Sequence, residues 1–289
     1  MPKMSIPRVP GTFGKYWSGG RKPSRDGRCR ILAPVTRRIH VIGIGAGDPD
    51  YVTAQAVAAL NDTQVFFAMD KTQNKGAVKD ELVAVRRQIC ERFIREPGYR
   101  FVALPDPPRS KETPDSPAYR QAVADWHARR ARVWADAIES ELEPGGVGAF
   151  LAWGDPSLYD STLRILETVA ANVDIDCDVI PGITAIQALT ARHRIPLNDV
   201  GEPVLITTGR QLRDNGISGS AVVMLDGDCS FRSCPAATRI WWGAYLGTPD
   251  EMLVAGTVGE VGDEIAELRT DARARHGWIM DTYLLRSAD

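Results

Sequence analysis

An α/β fold in two domains is what this 289-residue chain predicts. Three observations carry the prediction. Short apolar runs of strand length alternate with stretches whose apolar residues recur at helical spacing. Two of those runs end in the same corner, Gly47-Asp48-Pro49 and Gly154-Asp155-Pro156, the grammar of a strand turning at the ligand-binding edge of an open sheet. The alternation then breaks at Arg194–Gly201, and closely spaced strands with one or two helices follow, an α+β pattern. The chain accordingly divides into a basic arm (1–38), an N-terminal α/β domain (39–196) and a smaller C-terminal α+β domain (197–289).

The elements follow in order. Residues 1–38 are rich in Gly, Pro and Ser, without periodicity and without the apolar centre of a secretory signal, and read as a flexible arm. Ile39–Ile44 is a strand, and Gly45–Pro49 leads from it into a helix over Tyr51–Leu60. Val65–Met69 is a second buried strand. Ala77–Phe93 is helical, with Val78, Leu82, Val85 and Ile89 on one face and Lys79, Arg86, Arg87 and Arg92 on the other. Phe101–Leu104 is a strand, Pro105–Pro117 a proline-rich loop, and Tyr119–Leu142 the longest helix, with Trp126, Trp134 and Ile138 along one side. Ala149–Trp153 is an apolar run too short for a helix. Asp155 after it has the character of an N-cap and Pro156 that of a first helical residue, with helix continuing through Ser161–Ala171. Val179–Thr184 supplies another strand, a turn and the cap of a helix reaching Arg192. Strands are then expected at Val204–Thr207, Ala221–Leu225, Ile240–Tyr245, Met252–Val258 and Trp278–Leu285, with a helix around Gly262–Arg273.

Composition narrows the function. Hydrophobic residues make up 44% and charged residues 25%, ordinary for a globular protein. The net charge of −2 hides an asymmetry, +9 in residues 1–38 against −11 in the rest. An acidic body argues against a broad nucleic-acid surface. No apolar run reaches the roughly 18 residues that span a bilayer, so no membrane partner is expected. Five scattered cysteines, none in C-x-x-C, read as reduced thiols of a cytoplasmic protein, and no metal site is expected from Cys229 and Cys234, which lack a histidine at finger spacing.

The glycine corners admit several readings on their own. Gly43-x-Gly45-x-Gly47 follows a strand and Asp70 ends the next one, but the third glycine comes one residue early for a dinucleotide fingerprint. A nicotinamide-dependent oxidoreductase is thus a poor fit. No P-loop, Gly-x-Ser-x-Gly elbow or His-Glu-x-x-His motif is present.

Val41–Ala56 (VIGIGAGDPDYVTAQA), Trp153–Thr162 (WGDPSLYDST) and Pro181–Ala188 (PGITAIQA) resemble the three signatures of the tetrapyrrole (corrin/porphyrin) methyltransferases. The likeness runs from about Arg38 to the end and omits only the basic arm. It implies a two-domain methylase fold distinct from the Rossmann type, an active-site cleft between the domains, S-adenosylmethionine as donor and S-adenosylhomocysteine as product. Met69–Lys71, Arg86–Ile94, Ala191–Asn198, Trp241–Thr248 and Gly277–Arg286 further resemble the branch that methylates a corrin-precursor carbon and releases acetate. Methylation at another ring carbon and a non-catalytic tetrapyrrole-binding module are the nearest alternatives.

The resemblance implies site residues position by position. The donor would be lined by Gly154, Asp155, Leu158, Tyr159, Thr184, Ala185, Met224, Ala244, Trp278 and Ile279. Such a donor carries no phosphate, so backbone groups and apolar walls suffice. Asp155 and Thr184 read equally as helix caps. Gly45, Gly47 and Asp48 would face the tetrapyrrole, whose carboxylates would meet cations such as Lys71, Lys75, Arg86, Arg87 and Arg129, each of which also reads as a solvated surface residue. Loss of an acyl group to water needs an activating group, for which Asp48, Tyr159 and His193 are the candidates; His193 reads equally as a helix-terminal cation. A homodimer is the family's usual state.

Overall fold

The computed structural model describes residues 36–70, 81–108 and 117–287. Residues 1–35 of the expected arm, Lys71, Lys75 and the expected first turn of the helix at Ala77 lie outside the described residues, and the last two residues of that arm, Arg37 and Arg38, already belong to the first strand.

In chain order the strands and helices are β1 (Arg37–Gly43), α1 (Ala54–Asp62), β2 (Val65–Asp70), α2 (Glu81–Phe93), β3 (Arg100–Pro105), α3 (Pro117–Glu141), β4 (Val147–Ala152), α4 (Thr162–Ala170), β5 (Ile175–Ile180) and α5 (Ala185–His193). They continue with β6 (Val204–Thr208), α6 (Gly209–Asn215), β7 (Ser220–Met224), β8 (Arg239–Ala244), β9 (Met252–Thr257), α7 (Val258–His276) and β10 (Asp281–Arg286).

The first five strands form one parallel sheet in the order β3-β2-β4-β1-β5. The central strand β4 is buried along its whole length, as a parallel strand covered on both faces must be. On one face Ile39, Val41, Phe67 and Phe150 pack with Trp134 and Ile138 of α3 and Ile165 and Val169 of α4. On the other, Ile42, Phe66 and Leu151 pack with Ala56 and Leu60 of α1 and Ile89 of α2. The helix after β1 therefore lies on one face and the helix after β4 on the opposite one, although β1 and β4 are neighbours. That divergence opens a crevice at their carboxyl ends, the switch point at which open α/β sheets take ligands.

The last five strands form a second, mixed sheet in the order β6-β7-β10-β8-β9, with β6 and β7 parallel and the other pairs antiparallel. Its cores are Trp242, Tyr283, Phe231 and Ile265 on the α6/α7 side and Trp241, Leu284, Ile186 and Leu189 on the α5 side. Helix α5, which the sequence reading groups with the first domain, packs on this second sheet. Both sheets belong to one unit, Val35–Asp289.

Four local expectations need correction. Asp155-Pro156 does not start a helix. Asp155 caps a turn, Tyr159 takes a left-handed backbone (φ 52°), and α4 begins only at Thr162. Asp48-Pro49 likewise starts a single 3-10 turn, and α1 begins later, capped by Thr53. Helix α7 starts at Val258 rather than near Gly262, because Thr257 and Glu260 form a reciprocal capping box. The last strand starts at Asp281, since Gly277 ends α7 in a left-handed cap and the next residues are turn. Helix α6 was not foreseen as an element at all.

Candidate active site

The three sequence motifs meet at one place. Gly45 and Gly154 face each other as an isolated antiparallel bridge: the Gly154 N–H donates to the Gly45 carbonyl (2.8 Å) and the Gly45 N–H to the Gly154 carbonyl (3.3 Å). Both carry positive φ, 83° and 67°, which a side chain would strain. The third motif sits against the second so closely that a Cβ on Gly182 would lie 2.0 Å from the Gly154 carbonyl oxygen. Asp155 ties them together. Its Oδ2 accepts the Gly182 N–H (2.9 Å), and its Oδ1 accepts the Ser157 N–H (2.8 Å) and the Ser157 hydroxyl. Burial opposes the charge, but these donors outweigh it and hold the carboxyl below its ordinary value.

The second sheet closes the crevice. A Cβ on Gly47 would lie 2.4 Å from the Leu246 carbonyl oxygen, and one on Gly247 2.6 Å from the Asp48 nitrogen, so the first corner is keyed into the turn after β8. Ala46 is buried in the same cluster as Trp241, Leu246 and Leu284. Between the corners and the second sheet lies a cavity of about 240 Å³. Gly154, Asp155, Leu158 and Tyr159 line one side, Thr184 and Ala185 the start of α5, and Met224, Leu225, Leu246 and Met280–Thr282 the other side, with Ala46, Trp153 and Asp160 completing it. Its walls are mainly apolar. Three carboxylates line it, and among the described residues no Lys or Arg does.

Seven of the ten residues expected around the donor therefore line this cavity. Ala244 does not: it is fully buried in the second core. Trp278 and Ile279 pack against that core too, the Trp278 carbonyl accepting the Tyr245 hydroxyl (2.6 Å). Their places are taken by Met280, Asp281 and Thr282, because β10 starts later than its apolar run suggests. Thr184 is a cap as well as a wall: its hydroxyl accepts the Ile186 N–H (3.1 Å), and Gln187 completes the box. Trp153, Asp160 and Leu225 were missed. Trp153 and Asp160 stand inside the second motif, and only their flanking position could have singled them out.

The other expected residues scatter. Asp48 accepts the Asp50 N–H (2.8 Å) and does not line the cavity. His193 ends α5, with Nε2 3.0 Å from the Trp242 carbonyl, which fixes the proton on Nε2; it does not line the cavity either. Burial lowers its pKa, partly offset by that carbonyl and by Glu251, so the ring is neutral near pH 7. Burial raises the Tyr159 phenol, which therefore keeps its proton. Arg87 lies over the Phe101 ring, 4.8 Å from its centroid, and Arg129 donates to the Pro108 carbonyl (3.1 Å). Arg86 donates to the Leu151 carbonyl (3.1 Å) and lines a second, polar cavity of about 170 Å³ with Arg130, Asp160 and Ser161. Gly45, Gly47 and Asp48 are not brought to that second cavity.

Behind the main cavity is a buried polar network. Arg269 Nε pairs with Asp281 Oδ2 (2.9 Å), which also accepts the Trp242 indole N–H (2.7 Å). Asp226 accepts the Ser230 N–H (2.7 Å) and the Tyr283 hydroxyl (2.7 Å). No group of three or more His, Cys, Asp or Glu suited to a metal occurs among the described residues, and no described helix is long and apolar enough to cross a membrane.

Comparison with known proteins agrees with this architecture. The model of the Tetrapyrrole (Corrin/Porphyrin) Methylases matches residues 38–262. A precorrin-6A synthase [deacetylating] of Sinorhizobium sp is 50% identical over 256 residues, 86% of this chain and 95% of that protein. A precorrin-2 C(20)-methyltransferase of the same source is 28% identical over 195 residues, 65% of this chain and 72% of that protein. A crystal structure of a cobalamin-synthesis-related protein from Corynebacterium diphtheriae superposes with a TM-score of 0.75 at 42% identity, covering 88% of this chain and all of that one. The fold also matches a uroporphyrin-III C-methyltransferase from Thermus thermophilus solved with S-adenosylhomocysteine (TM-score 0.54, 17% identity, 86% of this chain and 92% of that one).

Proposed function

The chain belongs to the tetrapyrrole (corrin/porphyrin) methylases, and on that footing we propose that it methylates precorrin-5 at ring carbon C1 from S-adenosylmethionine, with hydrolytic release of acetate, giving precorrin-6A. The observation that carries the donor assignment is the cavity itself. Its backbone corners and apolar walls suit a ligand without phosphate, and its three carboxylates suit a cation. A nicotinamide dinucleotide would instead set its pyrophosphate against those carboxylates, with no Lys or Arg among the described lining residues to balance it. The donor supplies an electrophilic methyl group on a positively charged sulfur.

The chain's own residues hold and orient. The Gly45–Gly154 bridge and the Asp155–Gly182 hydrogen bond fix the backbone floor, so the donor meets a preorganised surface rather than one it must order. Tyr159 and Leu225, 45% and 68% exposed and both at positive φ, stand on opposite sides of the cavity as apolar lips. Such conformations persist where the surroundings enforce them. Holding donor and acceptor in register supplies a large part of the rate, because methyl transfer between carbon and sulfur needs alignment above all. The acidic ring substituents of the acceptor would meet Arg86 near the second cavity.

The active protein is a cytoplasmic homodimer in this reading. Edge strand β6 supports the dimer, since Leu205 and Ile206 stand 53% and 44% exposed on it. Incubation of the enzyme with methyl-labelled donor and precorrin-5 tests the reaction. Label in the corrinoid product together with stoichiometric acetate is expected. Methyl incorporation without acetate would remove the deacetylating assignment.

A further inference from the structure

This inference rests on the function just proposed and concerns loss of the acyl group to water. Water attacking an acyl carbonyl must give up a proton, so a base with a free lone pair has to stand beside the acceptor. Three carboxylates line the main cavity, and two are already engaged. Asp155 holds Ser157 and Gly182 through its two oxygens. Asp281 is enclosed with Arg269 and the Trp242 indole. Asp160 differs. Its Oδ1 accepts the Thr162 N–H (2.6 Å) at the start of α4, and its Oδ2 has no partner among the described residues.

Position adds to this. Asp160 lines both the main cavity and the smaller polar one, and no other described residue lines both. The smaller cavity, about 170 Å³, opens at the carboxyl ends of β2 and β4 and presents Arg86, Arg130, Ser161 and Thr162. Arg86 donates through Nε to Leu151 and Arg130 pairs through Nε with Asp106 (2.8 Å), and these anchored guanidinium groups with the two hydroxyls give a lining that suits a small carboxylate.

We infer that Asp160 is the general base for hydrolytic acyl loss and that the smaller cavity receives the acetate. Asp160 Oδ2 takes a proton from water as the water oxygen bonds to the acyl carbonyl carbon. Collapse of the tetrahedral adduct breaks the carbon–carbon bond to the ring and leaves the electron pair on the ring carbon, which bonds to the donor's methyl group as the methyl–sulfur bond breaks and its pair stays on sulfur. The two-carbon acid departs as acetate, its remaining acidic proton going to solvent. Asp160 returns the proton it took to solvent.

The test compares wild type with Asp160→Asn and Asp160→Glu, measuring acetate release from precorrin-5 and, separately, S-adenosylhomocysteine affinity by calorimetry. Asparagine keeps an oxygen for the Thr162 N–H, so the variant is expected still to bind S-adenosylhomocysteine, more weakly for the loss of one cavity carboxylate, while acetate release falls at least about 100-fold, the usual worth of a positioned base. Glutamate, which keeps the carboxylate, is expected to restore measurable release. Acetate release by Asp160→Asn within about threefold of wild type overturns the inference. So does an Asp160→Asn protein that no longer binds S-adenosylhomocysteine, because the residue would then serve the donor or the fold. A wild type that itself releases no acetate sinks the proposed reaction, and the role of Asp160 with it.

Discussion

Asp155 shows how one side chain can be both structural and functional. A carboxylate that caps a turn and also takes the Gly182 N–H joins two motifs 27 residues apart in the chain. Asp155→Ala leaves those N–H groups without their acceptor and is expected to cost about 2 kcal/mol, read from the denaturant midpoint, with donor affinity falling at least about tenfold. Unchanged affinity would mean the corner holds without it. His193 gives a pH prediction. Its folded pKa lies below the unfolded value near 6.5, so the unfolded chain takes up the proton first as pH falls. Stability is then expected to drop as pH goes below about 6.5 and to level off once the folded imidazole is protonated. His193→Gln should flatten that part of the Tm-against-pH curve; an identical slope would place the titration elsewhere. Activity should survive the substitution, since the ring does not line the cavity.

At the scale of elements, the second sheet is organised around buried charge. Burial raises the Asp281 carboxyl, while Arg269 and the Trp242 indole work in the opposite direction. Arg269 is only 5% exposed, so Arg269→Met leaves a buried carboxylate without its partner. The expected loss is about 3–5 kcal/mol in chemical denaturation, because an uncompensated buried charge is costly. A change below about 1 kcal/mol would show that Asp281 is held neutral. The strands were legible because their apolar runs are short and bounded by turn residues, and the capping box at Thr184 and Gln187 was half visible as Thr after Pro-Gly. The helix expected at Pro156 was not real, and the reason is tertiary. Asp155 is drawn to Gly182, and the chain must pass Tyr159 in a left-handed turn before α4 starts. Neither constraint has a local signature. The resemblance puts Ala244, Trp278 and Ile279 at the cavity, whereas Ala244 is buried in the second core, Trp278 and Ile279 pack half-buried against that core after Gly277, and Met280–Thr282 line the cavity instead.

For the molecule as a whole, the main feature is that glycines of the first sheet's corners contact the second sheet's turn directly. Gly47 against Leu246 and Gly247 against Asp48 leave no room for side chains, so the gap between the sheets is set by backbone. Two separate sheets meeting in this way, rather than a single continuous nucleotide-type sheet, could be read in outline from the break at Arg194–Gly201. The packing of α5 on the second sheet could not, because its apolar residues show that a face is buried but not against what. A ligand held between the sheets should stabilise both together. At about 100 times its Kd, S-adenosylhomocysteine is expected to add about 2.7 kcal/mol, raising Tm in a single transition. Two transitions, with only one shifting, would show that the halves unfold independently.

The most direct test is a calorimetric titration of the full chain with S-adenosylhomocysteine, repeated with NAD and with Gly182→Ala, whose added Cβ would press on the Gly154 carbonyl. Saturable one-site binding of S-adenosylhomocysteine, no binding of NAD and loss of binding in Gly182→Ala are the predicted results. Binding of NAD without S-adenosylhomocysteine, or undiminished binding in Gly182→Ala, would contradict a donor site built on the three corners.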